Sequence, residues 1–386
     1  MAVITRRRRP LAIALALMVT AAIVAAGAVL VTRHTKSSSV PSPSPPQTAR
    51  PPRPGPGAST AGAFSVSTTT ILEGGEPYRP YGVTIFGLAR PQWELGQSAD
   101  LQQIAAIGGF WKGNTVRIQV APPLLASQGS SYQSAIQREV STARADGLNV
   151  IICAQYERVG KLRGPDASTV AFWQTIAPLY AGDSHVWFDL FNEPVETSDP
   201  RSTTAPSASS WDIWRDGGQG FVGMQALVDD IRSVAPSNLI VAEGLAGGKT
   251  LDGISGHLLT GGNIVYSVHP YFSPTNRTPS QWDANFGDLS SSIPILLGEW
   301  GEYQTTRESC VENAPTLVPE FMSYVTAHHF GLIAWALDPG NMIRGTDLES
   351  PTQFDPGVPY QCVPTSPGPA AQGAGASIHD LFASAP

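Results

Sequence analysis

The sequence predicts an α/β protein of the (β/α)8, or TIM-barrel, class, and three observations carry that expectation. Eight short apolar runs alternate with helix-period patterns over about 300 residues, the length such a barrel takes with insertions. One stretch, residues 185–194 (HVWFDLFNEP), holds a run at 186–191 that is apolar but for one acid, as a strand buried on both faces requires. It stops at a proline, which has no N–H to give a ladder. Polar and charged residues gather where the runs end, and those ends are where a barrel builds its chemistry. A doubly wound open sheet is the alternative. Eight repeats and the lack of a Gly-x-Gly-x-x-Gly turn argue against it.

The chain opens with four arginines at residues 6–9, then an apolar run at 11–31 broken only by Thr20. A helix of that length rises roughly 30 Å, the thickness of membrane hydrocarbon. Four arginines before it, against Arg33 and Lys36 after it, put the N-terminus in the cytoplasm and the rest outside. Residues 1–36 therefore read as a transmembrane anchor, with a signal peptide cut near Ala26-Gly27-Ala28 as the alternative. Residues 37–62, rich in Pro, Ser and Gly, are a semi-extended linker to a catalytic body at 63–386. Residues 1–60 hold eight lysines and arginines and no acid; residues 61–386 hold 16 against 31 acids, a net of −15. Such a body lacks the basic face that nucleic acid requires, and a neutral substrate suits it better.

Within the body, strands are expected at residues 81–88, 114–120, 148–154, 186–191, 239–242, 264–268, 293–297 and 332–336. Each is short, apolar and rich in β-branched residues. Between them, helical spacing appears around Leu101, Ile104 and Ala105, then over 134–145, 168–180 and 221–234. A weak patch at 251–259 follows, then helices at 282–289 and 316–328, with 377–382 closing the ring.

Strand two carries Arg117 inside its apolar run. Strand four ends in Asn192-Glu193-Pro194, six in His269-Pro270-Tyr271, seven in Gly298-Glu299-Trp300, and eight contains Trp335. A barrel brings these ends round one mouth. Burying charge without a use is costly, so two glutamates, an arginine, a histidine and a tyrosine there point to a site. The ordered set Arg117, Asn192-Glu193-Pro194, His269-x-Tyr271, Glu299 and Trp335 resembles glycoside hydrolase family 5, the cellulase-like group of retaining glycosidases, over roughly residues 81–341. The resemblance implies the barrel and a double displacement with Glu193 as acid/base and Glu299 as nucleophile. Where the family has a histidine ending strand three, this chain has Gln155, which can bond a sugar hydroxyl but cannot carry a proton as imidazolium. That departure bears on the range of substrates.

The chemistry asks for a proton on the leaving oxygen and a carboxylate to attack. Glu193, in a pocket that disfavours its charge, is expected to stay protonated; Glu299 is expected to be ionised with help from Arg117 and the Tyr271 hydroxyl. Asn192 can hold the sugar 2-hydroxyl, and Trp335 offers a flat face to a pyranose. Trp93, Tyr156, Trp211, Trp214, Trp282 and Trp300 are candidates for further sugar subsites, with Trp211 and Trp214 foremost because their loop follows the catalytic strand. Glu243 either supports the site from behind or touches sugar, and Glu302 and Tyr303 shape the nucleophile's loop. Cys310 and Cys362, in neighbouring loops, are a disulfide candidate outside the cell, while Cys153 reads as a small buried residue. Asn276-Arg277-Thr278 has the form of a glycosylation sequon. No His, Cys and acid spacing suits a metal, no Gly-x-Ser-x-Gly turn suits an esterase, and no cofactor is expected. The expected protein is a monomeric, outward-facing glycosidase on a β-linked glycan, β-1,4-glucan first and mannan next. Exo action, transglycosylation, or a barrel that binds sugar without turnover are the alternatives.

Overall fold

The computed structural model describes residues 62–155, 163–195, 206–302, 304, 309–362 and 371–384. The expected anchor and nearly all of the linker lie outside the described residues, as do Tyr156 and Tyr303. Among the described residues no helix is long and apolar enough to cross a membrane.

Eight parallel strands close into a barrel: β1 (Tyr81–Ile85), β2 (Thr115–Val120), β3 (Asn149–Ala154), β4 (Val186–Asp189), β5 (Ile240–Glu243), β6 (Ile264–Val268), β7 (Ile295–Trp300) and β8 (Gly331–Ala334). Each pairs with its neighbours in chain order, and β8 returns to β1 with Leu332 opposite Tyr81. Every residue of β3 is buried, which explains its unbroken apolar run: helices cover its outside and the barrel its inside. The covering helices are α1 (Trp93–Gly108), α2 (Ser130–Ala145), α3 (Ala167–Ile176), α4 (Met224–Val234), α5 (Pro279–Asn285), α6 (Ala314–Ala327) and α7 (Gly375–Ala383). At the start of α3 the Asp166 carboxylate accepts from the Ser168 N–H at 2.9 Å, and Thr169 Oγ1 accepts from the Asp166 N–H at 3.3 Å. These reciprocal bonds satisfy donors that a helix start leaves open. Between β5 and β6 the expected helical patch shrinks to one turn, Ile254–Gly256, entered through Gly253 at φ 86°. Backbone in that region cannot propagate a helix.

Period-two alternation sends Ile151, Trp187, Val241, Val265, Leu296 and Ile333 into the barrel, where they cluster with Phe64 and Ile71. The last two belong to an antiparallel sheet that the sequence did not announce: Phe64–Ser67, Thr70–Glu73 and Glu76–Pro77. Phe64 stands edge-on to Trp187 at 4.9 Å, and the Val66 N–H donates to Asn263 Oδ1 just before β6. This sheet therefore covers the end where the strands begin. Two residues further along β3, β4, β5 and β6, and just past β8, the same alternation delivers Cys153, Asp189, Glu243, Ser267 and Trp335 to the opposite end, and β2 adds Arg117. An apolar floor thus carries a polar layer at the mouth.

Cys310 and Cys362, 52 residues apart, are joined by a disulfide with Cα atoms 5.9 Å apart. Replacing both with serine is expected to cost about 2–4 kcal/mol, because the cross-link limits the unfolded chain. Calorimetry should show Tm lower by roughly 5–10 °C, and an unchanged Tm would mean that the bond does not constrain the unfolded chain.

Candidate active site

Arg117 comes first because everything else in the mouth touches it or its partners. Its place in β2 points it inward, and it is buried. Nε donates to Asp189 Oδ2 at 2.9 Å, Nη1 to Glu299 Oε2 at 2.9 Å, and Nη2 to Glu243 Oε1 at 2.6 Å and Asn192 Oδ1 at 2.7 Å. One guanidinium fork thereby fixes side chains from β4, β5 and β7 and from the turn after β4. Gln119, two residues on and on the same face, donates to Asn192 Oδ1 at 3.1 Å and to Glu299 Oε2 at 3.2 Å. With Asn192 Oδ1 accepting from both, the Asn192 amide orientation is set.

Glu299 reaches the mouth through an irregularity. Strand parity would put Gly298 inward, but the β7–β8 register shifts between Leu297 and Trp300, and this bulge re-aims the carboxylate. Gly298 is required there, since a Cβ would stand 2.1 Å from Ser267 Oγ. Glu299 Oε1 accepts from the Tyr271 hydroxyl at 2.8 Å, the bond the sequence suggested. Glu193 lies in the left-handed region at φ 50°, held there by its own N–H donating to Glu243 Oε2 at 2.7 Å. Its Oε1 lies 3.3 Å from His269 Nδ1 and its Oε2 3.2 Å from Arg163 Nη1. His269 is sealed, with Nε2 3.3 Å from Glu243 Oε2 at an angle too poor for a full hydrogen bond, so that attraction is ionic. Single carboxylate oxygens of Glu193 and Glu299 and a ring nitrogen of His269 all lie within 4.8 Å of one another.

The charges at this mouth do not sit as expected from sequence. Burial alone would raise Glu193, but the His269 bond and charge, then Arg163, outweigh it and draw the carboxyl below its usual range. Burial raises Glu299, and the charges of Glu193 and Glu243 add to that against His269 and Arg117. Both directions are the reverse of those expected from sequence. Burial also works against a charged His269, yet Glu243, Glu299 and Glu193 push it up to about 10. Glu243 falls to about 2 despite burial, because His269 and Arg117 face it. Asp189 rises to about 7 through burial and the Glu243 charge.

Several further expectations are corrected or sharpened. Trp211 and Trp214 are not sugar platforms: both are buried, and their indoles donate to the backbone oxygens of Asp252 at 2.8 Å and Glu243 at 2.9 Å. Trp300 and Trp282 pack with Phe321 at ring-centroid distances of 4.9 and 5.0 Å, and Trp93 is buried beside Tyr132; these also belong to the core. Trp335 remains half-buried at the mouth and stacks on Phe86 at 4.6 Å. Gln155 sits at the end of β3 with Oε1 buried and accepting no hydrogen bond from a described residue. Glu243 is completely buried and supports Glu193 from behind, so it is no sugar contact. Glu302 accepts from the Tyr360 hydroxyl at 2.9 Å, is pushed up to about 8 by burial, and braces the loop beside Cys310. Asn276 of the sequon is buried and donates to the Tyr271 backbone oxygen at 3.0 Å, which denies it to a glycan. Cys153, Asp189 and Glu243 lie close enough together for a cation, but the Arg117 guanidinium already bonds all three. Gln119, Asp189 and Arg163 were not singled out in the sequence.

The family description "Cellulase (glycosyl hydrolase family 5)" matches residues 75–341. Endoglucanase Z of Dickeya dadantii (strain 3937) is 22% identical over 242 residues, 62% of this chain and 51% of that protein. The chain thus spans about half the length of that relative. Cellulase CelDZ1 of Thermoanaerobacterium sp is 22% identical over 302 residues, 73% of this chain and 71% of that protein. Among solved structures, the β-glucanase SdGluc5_26A of Saccharophagus degradans superposes with a TM-score of 0.63 at 18% identity, covering 84% of this chain and 94% of that one. The same enzyme with cellotetraose superposes at 0.61 and 19% identity, covering 76% and 90%. At such identities the structural likeness speaks for the barrel alone.

Arg117→Met would leave three buried carboxyls facing one another without their cation. A loss of about 3–5 kcal/mol in urea unfolding is expected, with Arg117→Lys recovering part of it. Wild-type stability in Arg117→Met would show that the cluster does not depend on the guanidinium.

Proposed function

Because the chain belongs to glycosyl hydrolase family 5, we propose that it hydrolyses a β-linked glucan with retention of anomeric configuration, Glu193 serving as acid/base and Glu299 as nucleophile. The observation that carries this is the approach of the two carboxylates to within 4.8 Å, oxygen to oxygen. Double displacement uses carboxyls about 5–5.5 Å apart, whereas single displacement needs about 6.5–9.5 Å to admit water.

Each neighbour then has a task. Trp335, backed by Phe86, supports the pyranose ring at the cleavage point. Asn192, with Oδ1 occupied by Arg117 and Gln119, is left with its Nδ2 donor for the sugar 2-hydroxyl, a bond that strengthens in the transition state. On Glu299, Oε2 is engaged by Arg117 and Gln119, so Oε1, bonded by Tyr271, is the oxygen that attacks. Glu193 protonates the leaving oxygen, and C–O cleavage accompanies bonding of the anomeric carbon to Glu299. That adduct removes the Glu299 charge, after which Glu193, now a carboxylate, takes a proton from water as the water displaces Glu299. Gln155, partly buried at the end of β3, offers its amide to a substrate hydroxyl.

β-Glucan is the substrate class favoured by the relatives, two of which are named endoglucanase or cellulase and one of which was crystallised with cellotetraose. We place the barrel outside the cell on an N-terminal tether. The Cys310–Cys362 disulfide and the arginines before the apolar run support that placement.

Glu299→Gly should abolish turnover of polysaccharides. Azide should restore turnover of an activated aryl glycoside and give a glycosyl azide of inverted configuration. Proton NMR of the wild-type reaction should show the retained anomer first. An inverted first product, or near-normal turnover by Glu299→Gly, would remove the covalent step.

A further inference from the structure

Arg163 has no place in the chemistry above, yet it touches the acid/base. Its backbone exchanges two hydrogen bonds of 2.7 Å with Val195, two residues beyond Glu193, and its Nη1 stands 3.2 Å from Glu193 Oε2. The other oxygen of Glu193 faces His269 Nδ1 at 3.3 Å. Both oxygens of the group that must deliver a proton are therefore turned toward cationic donors. A protonated carboxyl cannot present its O–H to a guanidinium, which has donors and no acceptor. That O–H has to point at the leaving oxygen, so a donor lying on that side of the carboxyl is displaced when Glu193 acts as an acid.

His269 is not that donor. Its ring is sealed, its backbone N–H donates to the Gly248 oxygen at 2.6 Å, and even a Cβ at Gly248 would stand 3.0 Å from the ring. Arg163 and Glu193, by contrast, keep 22% and 21% of their side-chain surface exposed. A partly exposed guanidinium on a flexible stem loses little by exchanging one partner for water.

We propose that Arg163 is a positioning residue that caps Oε2 of Glu193 in the resting site and yields that oxygen when a sugar enters on the leaving-group side. This rests on the acid/base role of Glu193. Among the described residues, the charged groups facing Glu193 are Arg163 from the segment after β3, His269 from the end of β6, Glu243 from β5 and Glu299 from β7. With Arg163 in place the cations dominate and the carboxyl is held low; with Arg163 gone, burial and the two anions oppose His269 alone. The departure of the cap thus moves the proton toward the residue that must donate it, at the moment substrate arrives.

The test compares Arg163→Gln and Arg163→Lys with wild type in the full chain. The basic limb of kcat/KM reports Glu193 in the free enzyme, and that of kcat reports it in the complex. A guanidinium favours the carboxylate, so removing it raises the pKa and carries the limb to higher pH. In Arg163→Gln the kcat/KM limb should rise by about one pH unit while the kcat limb stays put, and Arg163→Lys should restore the kcat/KM limb. Equal movement of both limbs would mean that Arg163 stays on Glu193 throughout, and no movement of either would mean that it does not govern this carboxyl; both overturn the proposal. Carboxyl 13C NMR titration, with Glu193 assigned through Glu193→Gln, separates this question from the function itself. If no glycan is hydrolysed the glycosidase assignment fails, whereas an unchanged Glu193 titration in Arg163→Gln defeats the role of Arg163.

Discussion

The Arg117 guanidinium, buried at the mouth end of the barrel, is the constraint from which the site follows. A buried cation is costly to desolvate and tolerable only when its hydrogens are matched. Here Asp189, Glu243, Glu299 and Asn192 match them, and four side chains from separate elements are fixed in one geometry. Around this hub three cations, Arg117, His269 and Arg163, face four carboxyls, Asp189, Glu193, Glu243 and Glu299. Such a cluster is neutral when one carboxyl keeps a proton. On the mechanism we propose, acid-catalysed cleavage needs that one proton on Glu193. Binding energy is well used when it moves charge to the place where the transition state requires it.

The barrel supplies this arrangement with little irregular backbone. Strand alternation stacks an apolar layer below a polar one, so Trp187 and Asp189, or Val241 and Glu243, are consecutive inward positions on one strand. Phe64 and Ile71 close the bottom, which keeps water from the apolar layer and the dielectric around Arg117 low. Two departures from regularity fall at the two glutamates. Glu193 takes a left-handed backbone and Glu299 follows a bulge, and each is held by a neighbour that accepts or donates a bond. Strain of this kind persists where surrounding contacts over-determine it.

Much of this was legible in the sequence because the barrel makes strand ends converge. Arg117, Glu193, His269, Tyr271 and Glu299 stand in or just after apolar runs, so their type and position sufficed. Asp189 and Gln119 were equally readable, being inward by parity with Trp187 and Arg117, but a polar residue inside a strand is easily taken as an exception. The tryptophans misled for the opposite reason. Polar neighbours suggested exposure for Trp211 and Trp214, yet their spacing of three puts both on the buried face of the helix Ala208–Asp216. Arg163 was beyond reach, since its contact depends on the path of a connecting segment rather than on any period. The directions in which Glu193 and Glu299 shift were also beyond reach, because each is a sum over charges whose separations no sequence states.

The two cations on Glu193 differ in kind, and that difference carries the argument about how the mouth responds to a ligand. His269 is locked by packing and ties Glu193 to Glu243 and Arg117, so it changes with the whole barrel or not at all. Arg163 is joined to the described residues by a two-bond backbone bridge to Val195 and stays partly exposed, where water can replace the carboxylate. A histidine could not serve as such a cap, because its charge would vary over the same pH range as the proton it is meant to control; a guanidinium stays charged throughout. Gln155, standing where the family resemblance anticipates a histidine, adds no titrating charge to this quarter of the mouth. The cation there is thus permanent and movable, and its departure is an electrostatic change that an incoming neutral sugar can cause by occupying space alone.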